Sequence, residues 1–150
     1  MRPRLISWLA LVSISTCSIS TCAVSCLAYP QSKGGAAKQQ LPWQSNLEHC
    51  KSSARQKHKL IIVDIYTDNC QWCTRLEHET FQNPGVVAEL GDRFIWLKLN
   101  ARLSASDLKP YKVSGYPTVL VLDGQGKVVT SISGYLPPEQ FVEKMSMLLP

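Results

Sequence analysis

The sequence has no run or stripe of basic residues. Its 16 lysines and arginines are scattered among 11 acidic residues, and the formal net charge is +5. This pattern is typical of a mixed, solvated surface, so we expect no nucleic-acid partner. Internal repeats are also absent, which argues against a repeat architecture. With 150 residues, 45% of them hydrophobic and 18% charged, the chain is long enough for one globular domain with its own core.

Charge is absent from residues 5–28, which follow the basic start Met1-Arg-Pro-Arg4. This stretch opens with mostly apolar residues and continues with small ones up to Ala28. A basic start, an apolar stretch and then small residues are the layout of a secretory signal peptide. The apolar part is shorter than the roughly 20 residues that span a membrane. We therefore expect residues 1–28 to be an export signal, cleaved after Ala28 or after Ala23.

Two alternatives stay open for this segment. The first alternative is an uncleaved anchor that tethers the protein to the membrane. The second is a lipid attached to Cys17, Cys22 or Cys26. In each case we expect the rest of the chain to face the bacterial periplasm. Residues 29–40 are rich in Gly, Lys, Gln and Ala and have nothing to bury, so we expect a flexible linker there. Residues 41–150 form the predicted domain.

Cysteines are few once the export signal is set aside. The chain has six, of which Cys50, Cys70 and Cys73 remain in the predicted domain. An odd number in an exported protein leaves at least one cysteine unpaired or paired between molecules. Cys50 lies in the middle of a predicted helix, and we expect a buried free thiol because free cysteine packs like a small hydrophobic residue. Pairing of Cys50 between two molecules is the alternative.

Hydrophobic periodicity predicts helices that alternate with strands, followed by one tight hairpin. The predicted helices are 45–57, 74–81, 86–90, 104–111 and 137–149. The predicted strands are 60–66, 94–99, 118–122 and 127–132. Ser45 is the expected N-cap of the first helix, and Glu48 completes a capping box. This order predicts an α/β fold with a mixed central sheet and helices on both faces.

The motif Cys70-Gln-Trp-Cys73 comes directly after the first predicted strand and begins a helix. A helix N-terminus presents unpaired N–H groups and partial positive charge, which stabilise a thiolate and lower its pKa. The two-residue spacer lets the second cysteine attack the mixed disulfide that the first one forms. The motif therefore favours thiol–disulfide exchange, with Cys70 as the attacking thiol and Cys73 as the resolving thiol. Half a zinc site and a merely structural disulfide are the alternatives, although the sequence offers no second compact ligand pair for zinc.

These segments resemble the thioredoxin family. The residues from Ile61 to Cys73 align without a gap on the strand and active-site segment of thioredoxins. Lys98-Leu-Asn100 matches their second-strand lysine segment, and Val113 to Thr118 matches the loop that carries their cis-proline. The resemblance covers about residues 47–149 and implies a thioredoxin-like fold. The exported proteins related to the C-terminal domain of the bacterial transmembrane disulfide reductase are the most similar group.

The resemblance implies a proton acceptor behind the cysteines. Asp64 falls on the buried aspartate of thioredoxins, where burial raises the pKa of a carboxyl toward neutrality. Such a group accepts the proton of the resolving thiol, Cys73. Lys98 falls on the lysine that lies near that aspartate. The alternative is an Asp64 carboxylate that is simply paired with Lys98, and both descriptions are compatible.

The resemblance also implies a client-binding loop. Pro117 falls on the cis-proline, and its isomer would place the backbone of Tyr116 against the cysteines, where it pairs with an extended client. An ordinary trans-proline in a loop is the alternative. Gln71 and Trp72 are candidate client contacts, and plain packing over the disulfide is the alternative for Trp72.

Three departures from thioredoxins limit what the resemblance implies. Gln71-Trp72 replaces Gly-Pro between the cysteines, so the redox potential does not transfer. Asn69 replaces the tryptophan before the first cysteine. His78 replaces the proline that kinks the active-site helix, and we interpret it as a surface residue.

Together these observations predict a thiol–disulfide oxidoreductase that reduces protein disulfides outside the cytoplasm. The expected partners are protein disulfide substrates and a membrane or soluble electron donor that reduces the Cys70–Cys73 pair again. No bound cofactor or metal is implied, because the cysteine pair itself holds the two electrons. Two other functions stay open. One is a non-catalytic binding module whose disulfide is a fixed staple, and the other is a metal-handling thiol protein.

Overall fold

Five strands form one mixed sheet in the order β1-β3-β2-β4-β5 in the computed structural model, which describes residues 40–149. The strands are β1 (Trp43–Gln44), β2 (Ile61–Tyr66), β3 (Ile95–Asn100), β4 (Thr118–Leu122) and β5 (Val128–Ser133). β3 is parallel to both β1 and β2, whereas β4 is antiparallel to β2 and β5. The predicted signal peptide and all but the last residue of the predicted linker lie outside the described residues.

The helices cover both faces of this sheet. They are α1 (Leu47–Lys57), α2 (Gln71–Arg75), α3 (Pro84–Leu90), α4 (Ala105–Leu108) and α5 (Pro138–Ser146), with a π-helix over Leu76–Phe81 directly after α2. Ile62 of β2 packs in one buried cluster with α3, α5 and the π-helix, and its neighbours Ile61 and Val63 pack in the other with α1 and α4. This alternation follows from the two-residue period of a strand. The predicted α/β fold with helices on both faces is confirmed.

The π-helix was not expected from the sequence. Its Gln82 N–H donates to the carbonyl of Glu77 at 3.0 Å, the i→i+5 bond of a π turn. At its end, the Phe81 ring packs edge-on against Trp43 and Phe141, with ring centroids 5.1 and 5.5 Å apart. His78, where the resemblance led us to expect a proline, lies within this π-helix. Burial of Phe81 fixes the far end of the helical segment that begins at the cysteines.

One strand was not predicted, and the predicted capping box of Ser45 and Glu48 was wrong. β1 has only two residues, Trp43 and Gln44, too few for a periodic signal. The N-cap of α1 is Asn46 rather than Ser45, because the Asn46 side chain accepts the N–H of His49 at 2.8 Å, three residues on. Within residues 40–149, no helix is both long enough and apolar enough to cross a membrane.

Candidate active site

Cys70 and Cys73 are joined by a disulfide at the carboxyl end of the sheet, with their Cα atoms 5.2 Å apart. Cys70 is the N-cap of α2, and its Sγ accepts the backbone N–H of Cys73 at 3.1 Å. The N–H of Thr74 donates to the Cys70 carbonyl at 3.0 Å, which begins the helix at this residue. The donor that faces Cys70 Sγ favours a thiolate there once the disulfide is reduced. The roles of Cys70 as attacking thiol and Cys73 as resolving thiol stay predictions.

Asn69 has a structural reason for its place before Cys70. Its φ is 59°, in the left-handed region that asparagine tolerates better than most residues. The turn lets the chain leave β2 and enter α2 within a few residues. Asparagine therefore suits the turn before Cys70.

The carboxyl of Asp64 is buried beneath the cysteines, and the residue is 3% exposed. Its Oδ2 lies 3.4 Å from Lys98 Nζ, and its Oδ1 has no hydrogen-bond partner among residues 40–149. Burial raises the pKa of Asp64 to about 6, although the charge of Lys98 opposes the rise. Asp64, Lys98, Cys70 and Cys73 all line one open cleft of about 320 Å³. The site therefore holds a carboxyl that titrates close to neutral pH beside the disulfide.

Glu77, which is half-buried, completes this cluster around the buried Asp64, and sequence reasoning gave it no role. It lies one helical turn after Cys73 and lines the same cleft. Lys98 Nζ donates to Glu77 Oε2 and so bridges two carboxylates, those of Glu77 and Asp64. Burial opposes the charged form of Lys98, but its bonds to these carboxylates outweigh that effect and raise its pKa. The i+4 spacing from Cys73 was the signal available in the sequence.

The expected client-facing residues lie at the same edge of the sheet. Thr118 pairs with Ile65, so the loop before β4 lies beside the loop that leads from β2 to Cys70. The Tyr116–Pro117 peptide bond in that loop is cis. Tyr116 is 43% exposed and Trp72 is 53% exposed, which is high for aromatic side chains. Gln71 is also exposed, at the first position of α2.

The remaining candidates take no part in this cluster. Cys50 is a buried free thiol, as predicted, and burial raises its pKa to about 11. His78 lines the cleft but is exposed, and its Nδ1 lies 3.3 Å from Gln82 Oε1. In the part of the chain that the structure describes, no group of three or more His, Cys, Asp or Glu side chains is arranged to hold a metal ion.

The fold and the paired cysteines define the class of a thioredoxin-like domain. The chain belongs to the thioredoxin-like domain family, whose model matches residues 47–148. It is similar to the thiol:disulfide interchange protein DsbD of Photorhabdus laumondii subsp. laumondii, with 31% identity over 100 residues. The match covers 63% of this chain and only 17% of that relative. The chain thus corresponds to a small part of that longer protein, and the predicted family is confirmed.

Two solved structures are similar in fold. A DsbH oxidoreductase superposes with a TM-score of 0.67 at 20% identity, over 80% of this chain and 92% of that one. The oxidised C-terminal domain of Neisseria meningitidis DsbD superposes with a TM-score of 0.56 at 22% identity, over 66% of this chain and 89% of that one. At these identities the likeness concerns the fold.

Proposed function

We propose that the protein reduces protein disulfides outside the cytoplasm. The observation that carries this proposal is a Cys70–Cys73 pair at a helix start, in the same cleft as the buried carboxyl of Asp64. The helix start favours a nucleophilic Cys70 thiolate, and the carboxyl favours deprotonation of Cys73, whose attack releases the client from the mixed disulfide. Both features support repeated reduction and reoxidation of the Cys70–Cys73 disulfide.

The proposed reaction has two exchange steps. The reduced Cys70 thiolate attacks one sulfur of a client disulfide, which forms a mixed disulfide and releases the other client sulfur as a thiolate. Cys73 then attacks Cys70 Sγ, which forms the Cys70–Cys73 disulfide and releases the second client thiolate. The client gains two electrons and the cysteine pair loses two. The pair needs no bound cofactor, but it needs an external reductant before the next cycle.

Asp64 is the proposed proton acceptor in the second step. Cys73 must lose its proton before it attacks, and a carboxyl with a pKa of about 6 is ionised at neutral pH and still basic enough to take part. The Oδ1 atom without a partner has a free lone pair for this proton. Lys98 keeps the carboxylate in place and balances its charge.

The client is proposed to lie across the exposed residues around the disulfide. The backbone of Tyr116 beside Pro117 pairs with an extended client segment, and the side chains of Gln71 and Trp72 contact residues next to the client cysteine. The exposure of Trp72 and Tyr116 supports this arrangement.

Export is proposed from the layout of residues 1–28, followed by a linker over 29–40 and the domain over 41–150. The periplasm is the proposed location, with a membrane-anchored or lipid-modified form as the alternative. The electron donor is then a membrane or soluble protein of that compartment, because a periplasm supplies no general thiol reductant.

The first experiment is equilibration of the Cys70–Cys73 pair against glutathione, with Cys70→Ser as the control. We expect a reduction potential near that of thioredoxin, about −270 mV. A value near about −120 mV would reverse the proposed direction and make the protein an oxidant. A pair that never equilibrates would favour a binding module with a fixed disulfide, and metal retained after mild purification would favour a metal-handling protein.

A further inference from the structure

Three side chains stack on the outer face of the active-site helix. The guanidinium carbon of Arg75 lies 4.5 Å from the ring centroid of Tyr135 and 5.4 Å from that of Trp72. The rings of Trp72 and Tyr135 are themselves 6.2 Å apart and inclined at 41°. Arg75 therefore contacts both rings by cation–π interactions, and it holds the residue that precedes Cys73 against a residue from the loop after β5.

Glu79 closes the stack from the next turn. Both of its carboxylate oxygens lie 3.0 Å from Arg75 Nε, and its Oε2 accepts the hydroxyl of Tyr135 at 2.6 Å. The neighbouring Thr80 hydroxyl donates to the carbonyl of Leu136 at 2.6 Å. The π-helix thus binds the loop after β5 through two adjacent residues, and Tyr135 is fixed in place.

The same loop is joined to the cis-proline loop. The N–H of Gly134 donates to the carbonyl of Pro117 at 2.8 Å, and Gly134 has a φ of 86° that favours glycine. Tyr135 and the exposed Tyr116 therefore lie on two connected loops. Trp72, which directly precedes Cys73, packs against Tyr135 on the first of these loops.

The stack contributes little to stability, because ion pairs and cation–π contacts at exposed positions are weak. Its main effect is to restrict the conformation of the Trp72 side chain. Trp72 remains 53% exposed although it is held on one side, and Glu79 neutralises the charge of Arg75. Beside Cys73, the exposed ring of Trp72 is thus held on one side by Arg75, whose charge is paired with Glu79. A side chain that is already ordered loses less entropy when a client binds to it.

We propose that Arg75, Glu79 and Tyr135 are positioning residues that hold Trp72 as an apolar wall of the client site. This wall selects protein disulfides whose reacting cysteine is flanked by an aromatic or aliphatic side chain. The inference rests on the proposed reductase function, which it makes more specific.

The test uses two peptide disulfides that differ only in the residue next to the reacting cysteine, phenylalanine in one and serine in the other. A small polar disulfide reagent without an aromatic group measures the chemistry of the cysteine pair separately. The wild-type protein is expected to prefer the phenylalanine peptide through a lower KM. Arg75→Ala is expected to reduce this preference about three- to tenfold, the range of one aromatic contact.

Graded variants separate positioning from a structural role. Arg93→Ala removes an exposed arginine outside the stack and is expected to keep the preference. Tyr135→Phe keeps the ring and loses the bond to Glu79, so it should reduce the preference less than Tyr135→Ala does. Arg75→Lys keeps the cation and should restore part of the preference.

Two results would overturn the inference alone: a wild-type protein that reduces both peptides equally well, or an Arg75→Ala variant with the same preference as wild type. A wild-type protein that reduces neither peptide nor the small reagent would overturn the proposed function itself, and the inference with it.

Discussion

The active-site helix has two faces that treat their charges in opposite ways. On the inner face, Lys98 bridges Asp64 and Glu77 inside the cleft, and burial raises the pKa of Asp64 to about 6. On the outer face, Glu79 is exposed, and its bonds to Tyr135 and then Arg75 lower its pKa. Each face places a carboxylate beside a cation. The difference is burial: it raises the pKa of the inner carboxyl, which belongs to Asp64 of β2, whereas the exposed Glu79 holds the side chains of Arg75 and Tyr135.

Substitution of either active-site cysteine is expected to have the largest effect. Cys70→Ser removes the attacking sulfur, so we expect no turnover and no covalent adduct with a client disulfide. Cys73→Ser removes only the resolving sulfur, and we expect it to accumulate the mixed disulfide with its client. Non-reducing gel electrophoresis and mass spectrometry measure both outcomes. Adduct formation by the Cys70→Ser variant would reverse the assigned roles.

Asp64→Asn is expected to slow the resolving step by about 10²-fold, the lower range for loss of a general base. In the wild type, this step should accelerate as the pH rises through about 6, where Asp64 loses its proton. The variant should lack that rise. Stopped-flow release of the client thiol measures the step, and an unchanged pH profile in the variant would exclude Asp64 as the proton acceptor.

The same substitution should stabilise the oxidised protein at neutral pH. The pKa of Asp64 is about 6 in the folded protein against 3.8 for an ordinary aspartate, so the folded state favours the neutral form. The contribution of Asp64 to the free energy of unfolding is complete below pH 4 and is lost as the pH rises through about 6. Asp64→Asn removes that loss, so the free energy of unfolding should rise by up to ~3 kcal/mol at pH 7.5 and stay almost unchanged at pH 3.5. Urea unfolding at both pH values measures it, and an equal gain at both would contradict this origin.

A smaller, directional effect comes from the two groups that flank Asp64. Lys98→Met removes the cation that lowers the pKa of Asp64, so the pH midpoint of the resolving step should move upward. Glu77→Gln removes a negative charge that raises this pKa, so the midpoint should move downward. Midpoints that move in the same direction would show that the bridge through Lys98 acts by position rather than by charge.

Sequence reasoning was sufficient where a signal is local. The positions of β2, the cysteine motif and the turn before β4 could be predicted because each is encoded by a short continuous stretch of sequence. Contacts between distant parts of the chain have no periodic signal, so only those that the resemblance implies, such as Lys98 near Asp64, could be predicted. The bridge from Lys98 to Glu77 spans 21 residues and the bond from Tyr135 to Glu79 spans 56. The π turn decides which helix residues reach these partners, and it has no signature of its own in the sequence.

The smallest expected effect concerns Glu79, on the outer face of the active-site helix. Glu79→Gln removes a charge from the same helix, only two residues from Glu77, but Glu79 is exposed and is not among the residues that line the cleft. Solvent screens an exposed charge, so the pH midpoint of the resolving step should stay within error of the wild-type value. Glu77→Gln is the matched variant with the identical chemical change. If the two variants shifted the midpoint equally, burial would not be what separates the two faces of this helix.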